Sequence, residues 1–190
     1  MNNDLMIQQL KDAGISFDKG LQDEEFEAIE STLGFRFPSE IRSFLACGLP
    51  VGDHFYNWRD LSPENVQRFH DFFVSMDNVF RFDLENNADD LRAMLAERIP
   101  DIEDPEQYAQ AVFDYLRRSP KLIPFYAHRC FFDGMDHMPI VSFWQPVDTI
   151  FYGEDFEDYL KTEFLGKALW LNHIPEQMKN TGIWYYLVDK

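Results

Sequence analysis

The chain is short of basic residues, of cysteine and of long apolar runs, and each shortage closes off a class of function. Seventeen Lys and Arg stand against 34 Asp and Glu in 190 residues, a formal charge of -17. Such a surface repels phosphate backbones and anionic lipid, so direct nucleic-acid binding and membrane-surface binding are disfavoured. Cys47 and Cys130 are the only cysteines, too few and too far apart for a disulfide framework or a zinc site, and they suit a reducing compartment. No apolar run approaches membrane-spanning length, and the opening MNNDLMIQQLKDAG has no basic leader. The expected location is therefore cytoplasmic. A phosphate loop, a dinucleotide fingerprint, HExxH and GxSxG are all missing, so neither catalysis nor a cofactor is expected.

What is present is aromatic and acidic. Nineteen Phe, eight Tyr and four Trp supply ample surface for one sizeable core, which argues against disorder. The length allows one core but leaves little room for two. One domain over residues 1–190 is expected, with residues 1–19 as an N-terminal helical extension.

The periodicity runs from helix to strand. Residues 20–52 read as two short amphipathic helices with a hinge. Leu21 and Phe26 stand where a hydrophobic staple sits, Glu25 can reach back to the cap at Gln22, and Gly34 ends the first helix. Pro38 opens the second, whose Ile41, Phe44 and Leu45 form a stripe before Gly48. Ser62 and Pro63 start a helix carrying Val66, Phe69, Phe73 and Met76, while residues 79–84 alternate apolar and charged groups and predict a half-exposed strand. Leu91, Leu95 and Ile99 predict a helix ended by Pro100, and Asp104, Pro105 and Gln107 cap the next, with Arg117 and Arg118 at its C-terminal dipole. After Pro120 the period becomes strand-like over 122–129, 139–144 and 147–152. Helices follow, marked by Phe156, Tyr159, Leu160 and Phe164 and then by Ile183, Trp184, Leu187 and Val188. The fold class is α+β, a mainly antiparallel central sheet flanked by several helices around one core, with Phe44, Phe125, Ile140, Phe143 and Ile150 buried.

Three constellations carry potential chemistry. His128, Cys130, Asp133, Asp136 and His137 lie within ten residues, but their spacing matches no metal motif, and a turn between strands explains them. Cys47 precedes Gly48 at a helix C-terminal end, where the dipole opposes an anionic nucleophile, so it is expected as a small buried apolar residue. The segment HFYNWRD, residues 54–60, mixes aromatic and polar groups in a loop. There Trp58 is expected to plug the core and Arg59 to pair with an acid, which leaves Asp53 and Asp60 freer to meet a partner.

In order along the chain, GLQDEEFEAIESTLGFRFPSEIRSFLACGLPVG, GLPVGDHFYNWRDL, RFDLENN, PKLIPFYAHR and MPIVSFWQPVDTIFYGEDFEDYLKTEF resemble successive segments of bacterial proteins of the SUKH superfamily. The chain departs from that pattern after RFDLENN, where the relatives carry tryptophans and a WG-x-RP run and this chain has ADDLRAMLAERIP. The resemblance implies a SUKH-like fold and a non-catalytic immunity protein that binds and neutralises the cognate toxin of a polymorphic or contact-dependent system. Such a toxin is often a nuclease and therefore basic, and an acidic surface is its electrostatic complement. An intracellular scaffold or regulator of the same fold is the alternative. The residues expected to bind the partner are Asp53, Asp60, Glu154, Asp155 and Asp158.

Overall fold

The computed structural model describes residues 1–169 and 174–188. Helix α1 (Asn3–Asp12) leads through a short strand β1 (Ser16–Asp18) into the hairpin of α2 (Asp23–Leu33) and α3 (Ser39–Cys47), and then into strand β2 (Leu49–Val51). Three helices follow, α4 (Pro63–Asn86), α5 (Ala88–Leu95) and α6 (Pro105–Arg118). The chain then forms β3 (Leu122–Tyr126), β4 (Arg129–Phe132), β5 (Val141–Phe143) and β6 (Thr149–Phe151), and closes with α7 (Phe156–Phe164) and α8 (Trp184–Leu187).

Local chemistry sets the helix ends. The Gln22 N–H donates to the Glu25 carboxylate at 2.8 Å, and Leu21 and Phe26 are both buried, so the expected staple forms. Gly34 stops α2 at φ 68°, a left-handed conformation that L side chains adopt only at a cost. Ser62 and Asp104 cap α4 and α6 by accepting from the N–H of Asn65 and Gln107, with Pro63 and Pro105 in the first turns.

The main sheet has the order β3-β4-β5-β6, antiparallel throughout, with Ile123 opposite Phe131, Cys130 opposite Val141 and Ser142 opposite Ile150. Strands β1 and β2 make a separate antiparallel pair. The α+β class with an antiparallel sheet is as expected. The single core is not, because two hydrophobic clusters sit on opposite faces of the sheet. Ile123, Phe125, Phe131 and Ile140 join Met6, Phe26, Phe44 and Phe156 from α1, α2, α3 and α7. Leu122, Cys130, Phe132, Val141 and Phe143 join Phe80, Leu91, Val112 and Trp184 from α4, α5, α6 and α8. Strands covered on both faces lose the wet side that alternation presumes, and successive residues feed different clusters.

Other expectations are also corrected. Residues 79–84 are not a strand but the last turns of α4, whose buried Phe69, Met76, Phe80 and Asp83 recur at helical spacing while Phe82 is 51 % exposed. Six residues that alternate by chance satisfy a two-residue period, and the longer helical seam prevails. The strand expected over 122–129 is two strands joined by a tight turn at Ala127 and His128, with Ala127 at φ 48°. Ile150 is only half buried, because on edge strand β6 it is Thr149 and Phe151 that face inward.

Candidate partner-binding surface

The loop after β2 is closed by aromatic packing. Trp58 is 1 % exposed, with ring centroids 4.9 Å from Phe69 and 5.1 Å from Phe37. Phe55 stacks on Phe164 at 5.7 Å, and the His54 carbonyl accepts from the Ala127 N–H at 2.9 Å, which ties the loop to the β3–β4 turn. Arg59 donates to the Glu25 carboxylate at 2.6 Å and to the Lys19 carbonyl at 2.8 Å. Its hydrogen bond holds the Glu25 carboxyl below the usual carboxylate range. Asp60 accepts from the Ser62 N–H at 2.8 Å, which lowers its own pKa and commits it to the turn entering α4. Asp53 is exposed and carries no hydrogen bond among the described residues.

The second acidic group sits at the N-terminus of α7, where the helix dipole favours negative charge. Asp155 caps the helix by accepting from the Asp158 N–H at 2.8 Å, Asp158 accepts from the Glu154 N–H at 3.2 Å, and Lys167 pairs with Asp158. The fold thus brings Glu154, Asp155 and Asp158 together. Asp53 and Asp60 belong to the aromatic loop, whose Phe55 meets α7 at its opposite end, about 13 Å away for a nine-residue helix. The five carboxylates form two groups.

Of the five possible metal ligands, Asp133, Asp136 and His137 serve as a clasp. Asp133 accepts from the Arg36 N–H at 2.8 Å and Asp136 from the Ser39 N–H at 2.6 Å. Glu40 accepts from the His137 N–H at 2.7 Å, and the Gly134 N–H donates to the Arg36 carbonyl at 2.8 Å. The turn after β4 is thereby pinned to the start of α3. Cys130 is buried, and burial pushes its thiol pKa up. Among the described residues no group of three His, Cys, Asp or Glu is placed to hold a metal ion. Cys47 is exposed, not buried as expected, since it falls on the outer face of α3 next to Ala46.

Two further features lie outside the residues expected from the sequence. Arg129 donates to Glu163 at 3.0 Å and to Ser142 at 2.8 Å, and lies 3.8 Å over the Tyr152 ring. Arg129 and Glu163 are far apart in the chain, and no local spacing announces the pair. The second feature is Trp144, 65 % exposed at the end of β5. Between it and α4 runs a groove of about 500 Å³ whose walls include Tyr56, Phe72, Val79, His128 and Phe143. The His128 ring meets Trp144 edge-on at 5.6 Å, and burial, with Arg129 next to it, lowers the His128 pKa. The available signal was alternation: Phe143 points inward, so the next side chain points out.

A family model described as SMI1 / KNR4 family (SUKH-1) matches residues 20–162. No curated protein and no solved structure gives a significant match. No described helix is long and apolar enough to cross a membrane.

Proposed function

Because the chain belongs to the SMI1 / KNR4 family (SUKH-1), we propose that it is an immunity protein, a non-catalytic binder that neutralises a basic cognate protein toxin in the cytoplasm. The observation that carries this reading is the charge of -17. A nuclease toxin must be basic to hold its substrate, and an acidic binder attracts it before any contact forms. Neutralisation then requires only that the toxin's site be occluded.

Asp53, Asp60, Glu154, Asp155 and Asp158 are assigned to steering the encounter. Asp53 and Glu154 are the cleanest positions for a test. Both are exposed and neither side chain caps a helix, whereas Asp155 holds the first turn of α7. Steering raises association from about 10⁵–10⁶ to roughly 10⁸ M⁻¹s⁻¹ at low salt. The experiment co-expresses the chain with the products of the neighbouring reading frames, scores survival where one proves toxic, and measures association with that product by stopped flow against ionic strength. Protection is expected, with association slowed far more by salt than dissociation. Asp53→Lys with Glu154→Lys is expected to lower both the on-rate and its salt dependence. Survival that does not depend on the chain would overturn the reading in favour of a scaffold or regulator.

A further inference from the structure

Resting on the basic protein partner proposed above, we infer that the groove between α4 and Trp144 is the docking surface, with an arginine of the partner laid over the exposed Trp144 ring. Three independent observations point there.

The first is exposure. Trp144 at 65 % and Phe82 at 51 % are among the few large apolar side chains left in water. Phe72 and Val79 recur along one flank of α4, so the helix offers an apolar wall opposite the tryptophan. Tryptophan is among the side chains enriched at the positions that dominate binding energy at protein interfaces.

The second is construction. Trp144 stands beside the 3-10 turn Pro146–Asp148, and that corner is fixed by a fully buried carboxylate. Asp83 accepts from the Val147 N–H at 2.9 Å with one oxygen and from the Asn87 side-chain amide at 2.7 Å with the other. Thr149 adds a hydrogen bond from its hydroxyl to the Gln145 carbonyl at 3.0 Å. On the far side of Trp144, the Phe143 N–H donates to the His128 carbonyl at 2.9 Å. The aromatic group is exposed on a rigid frame, so little freedom is lost when a partner covers it.

The third is charge. Asp71, adjacent to Phe72 on α4, and Asp148, in the 3-10 turn beside Trp144, are both exposed. The nearby cations are engaged: Arg68 lies 4.8 Å over the Tyr56 ring, and Arg129 is held by Glu163. An apolar groove on a chain of net charge -17 selects a cationic segment that also carries apolar groups. A guanidinium stacked on indole is the strongest form of that pairing. A second copy of this chain would bring another -17 against the first, and nucleic acid would bring phosphates, so neither complements the surface.

The test uses the full chain labelled with 5-fluorotryptophan, the Trp144 resonance being assigned from Trp144→Phe. It is titrated with the peptide acetyl-Leu-Arg-Phe-Arg-Leu-amide and with the same peptide carrying citrulline for arginine, which keeps the shape and removes the charge. The Trp144 resonance is expected to shift selectively with the arginine peptide. Citrulline, and separately Trp144→Ala in a chain with unchanged urea unfolding, are each expected to weaken binding about tenfold. An arginine peptide that binds Trp144→Ala as tightly as the parent chain overturns the surface and leaves the basic partner standing. Equal binding of the two peptides, or none by either, overturns the inference, and the basic partner then stands or falls on the survival test above. A Trp144 shift that depends on protein concentration without peptide makes a second copy the occupant and also overturns the inference.

Discussion

Trp58 is 1 % exposed and packs against Phe37, Phe69 and Phe131, whereas Trp144 is 65 % exposed and meets the edge of the His128 ring. Both sit among aromatic and polar neighbours in irregular segments, and in composition the Trp58 loop looks more like an interface. Long-range bonds separate the two. The Trp58 loop is anchored by Arg59 to Glu25 and by His54 to Ala127, which turns its aromatic groups inward. The Trp144 corner is anchored from beneath by Asp83, which leaves its aromatic group outward. Composition tells that a segment is aromatic, and the hydrogen bonds of its backbone tell which way the rings face.

The difference can be broken most directly by truncation. Trp58→Ala removes a ring from the first cluster and is expected to cost about 3–5 kcal/mol in chemical denaturation. Next in size is Asp83→Ala, which strands the half-buried Val147 N–H and Asn87 amide and is expected to cost about 1–3 kcal/mol. It should also broaden the Trp144 signal in ¹⁹F spectra by loosening the corner.

The two regions also differ in pH response. Glu25, next to Trp58, has a folded pKa below its ordinary 4.5 because of the Arg59 hydrogen bond. The folded state therefore binds this proton less readily than the unfolded state, and the stability it contributes is complete above 4.5 and lost as pH falls through the lowered value. His128, next to Trp144, is lowered from 6.5 by burial and then by Arg129. Its contribution is complete above 6.5 and declines as pH falls below that, in a window nearer neutrality. Urea midpoints measured against pH should show a smaller acid step in Arg59→Ala and lose the upper step in His128→Gln. The smallest effect is expected for Trp144→Ala, whose denaturation midpoint should correspond to within about 0.5 kcal/mol of the parent.

Caps and stripes made much of the helical part legible. Ser62 with Pro63, Asp104 with Pro105, and Gly34 all act where the sequence places them, because each works through bonds within a few residues. The β1–β2 pair was not legible, since its three-residue strands are too short to show a period. Nor was the β3–β4 turn, which uses Ala127 at φ 48° instead of glycine. Phe80, Phe82 and Leu84 alternate like a strand, and only the packing of Phe80 on Phe143 and Trp184 identifies the helix face. Of the five acids expected to meet a partner, Asp60 and Asp155 also serve local turns and caps, which short spacing alone could have suggested. The Trp144 groove depends on Asp83 reaching Val147 across 64 positions, a relation that no local pattern carries.

The clasp between the turn after β4 and the start of α3 has a consequence for folding and for variation. Three of its hydrogen bonds each join residues 97 apart. They close a circuit that contains α4, α5, α6 and the first two strands of the main sheet. Closing so large a circuit is slow, so the clasp should form late in folding, after the enclosed helices have gained local structure. Once a circuit is that long, its closure entropy hardly depends on added length, each doubling costing only about 0.6 kcal/mol. Insertions at Glu103, exposed between α5 and α6, are then tolerable, while one extra residue between Asp133 and His137 would misalign the whole clasp. The stretch that departs from the SUKH pattern, ADDLRAMLAERIP, lies inside this circuit. Its buried Leu91 and Leu95 are tied to the second cluster, and its outward face is free to diverge without disturbing the closure.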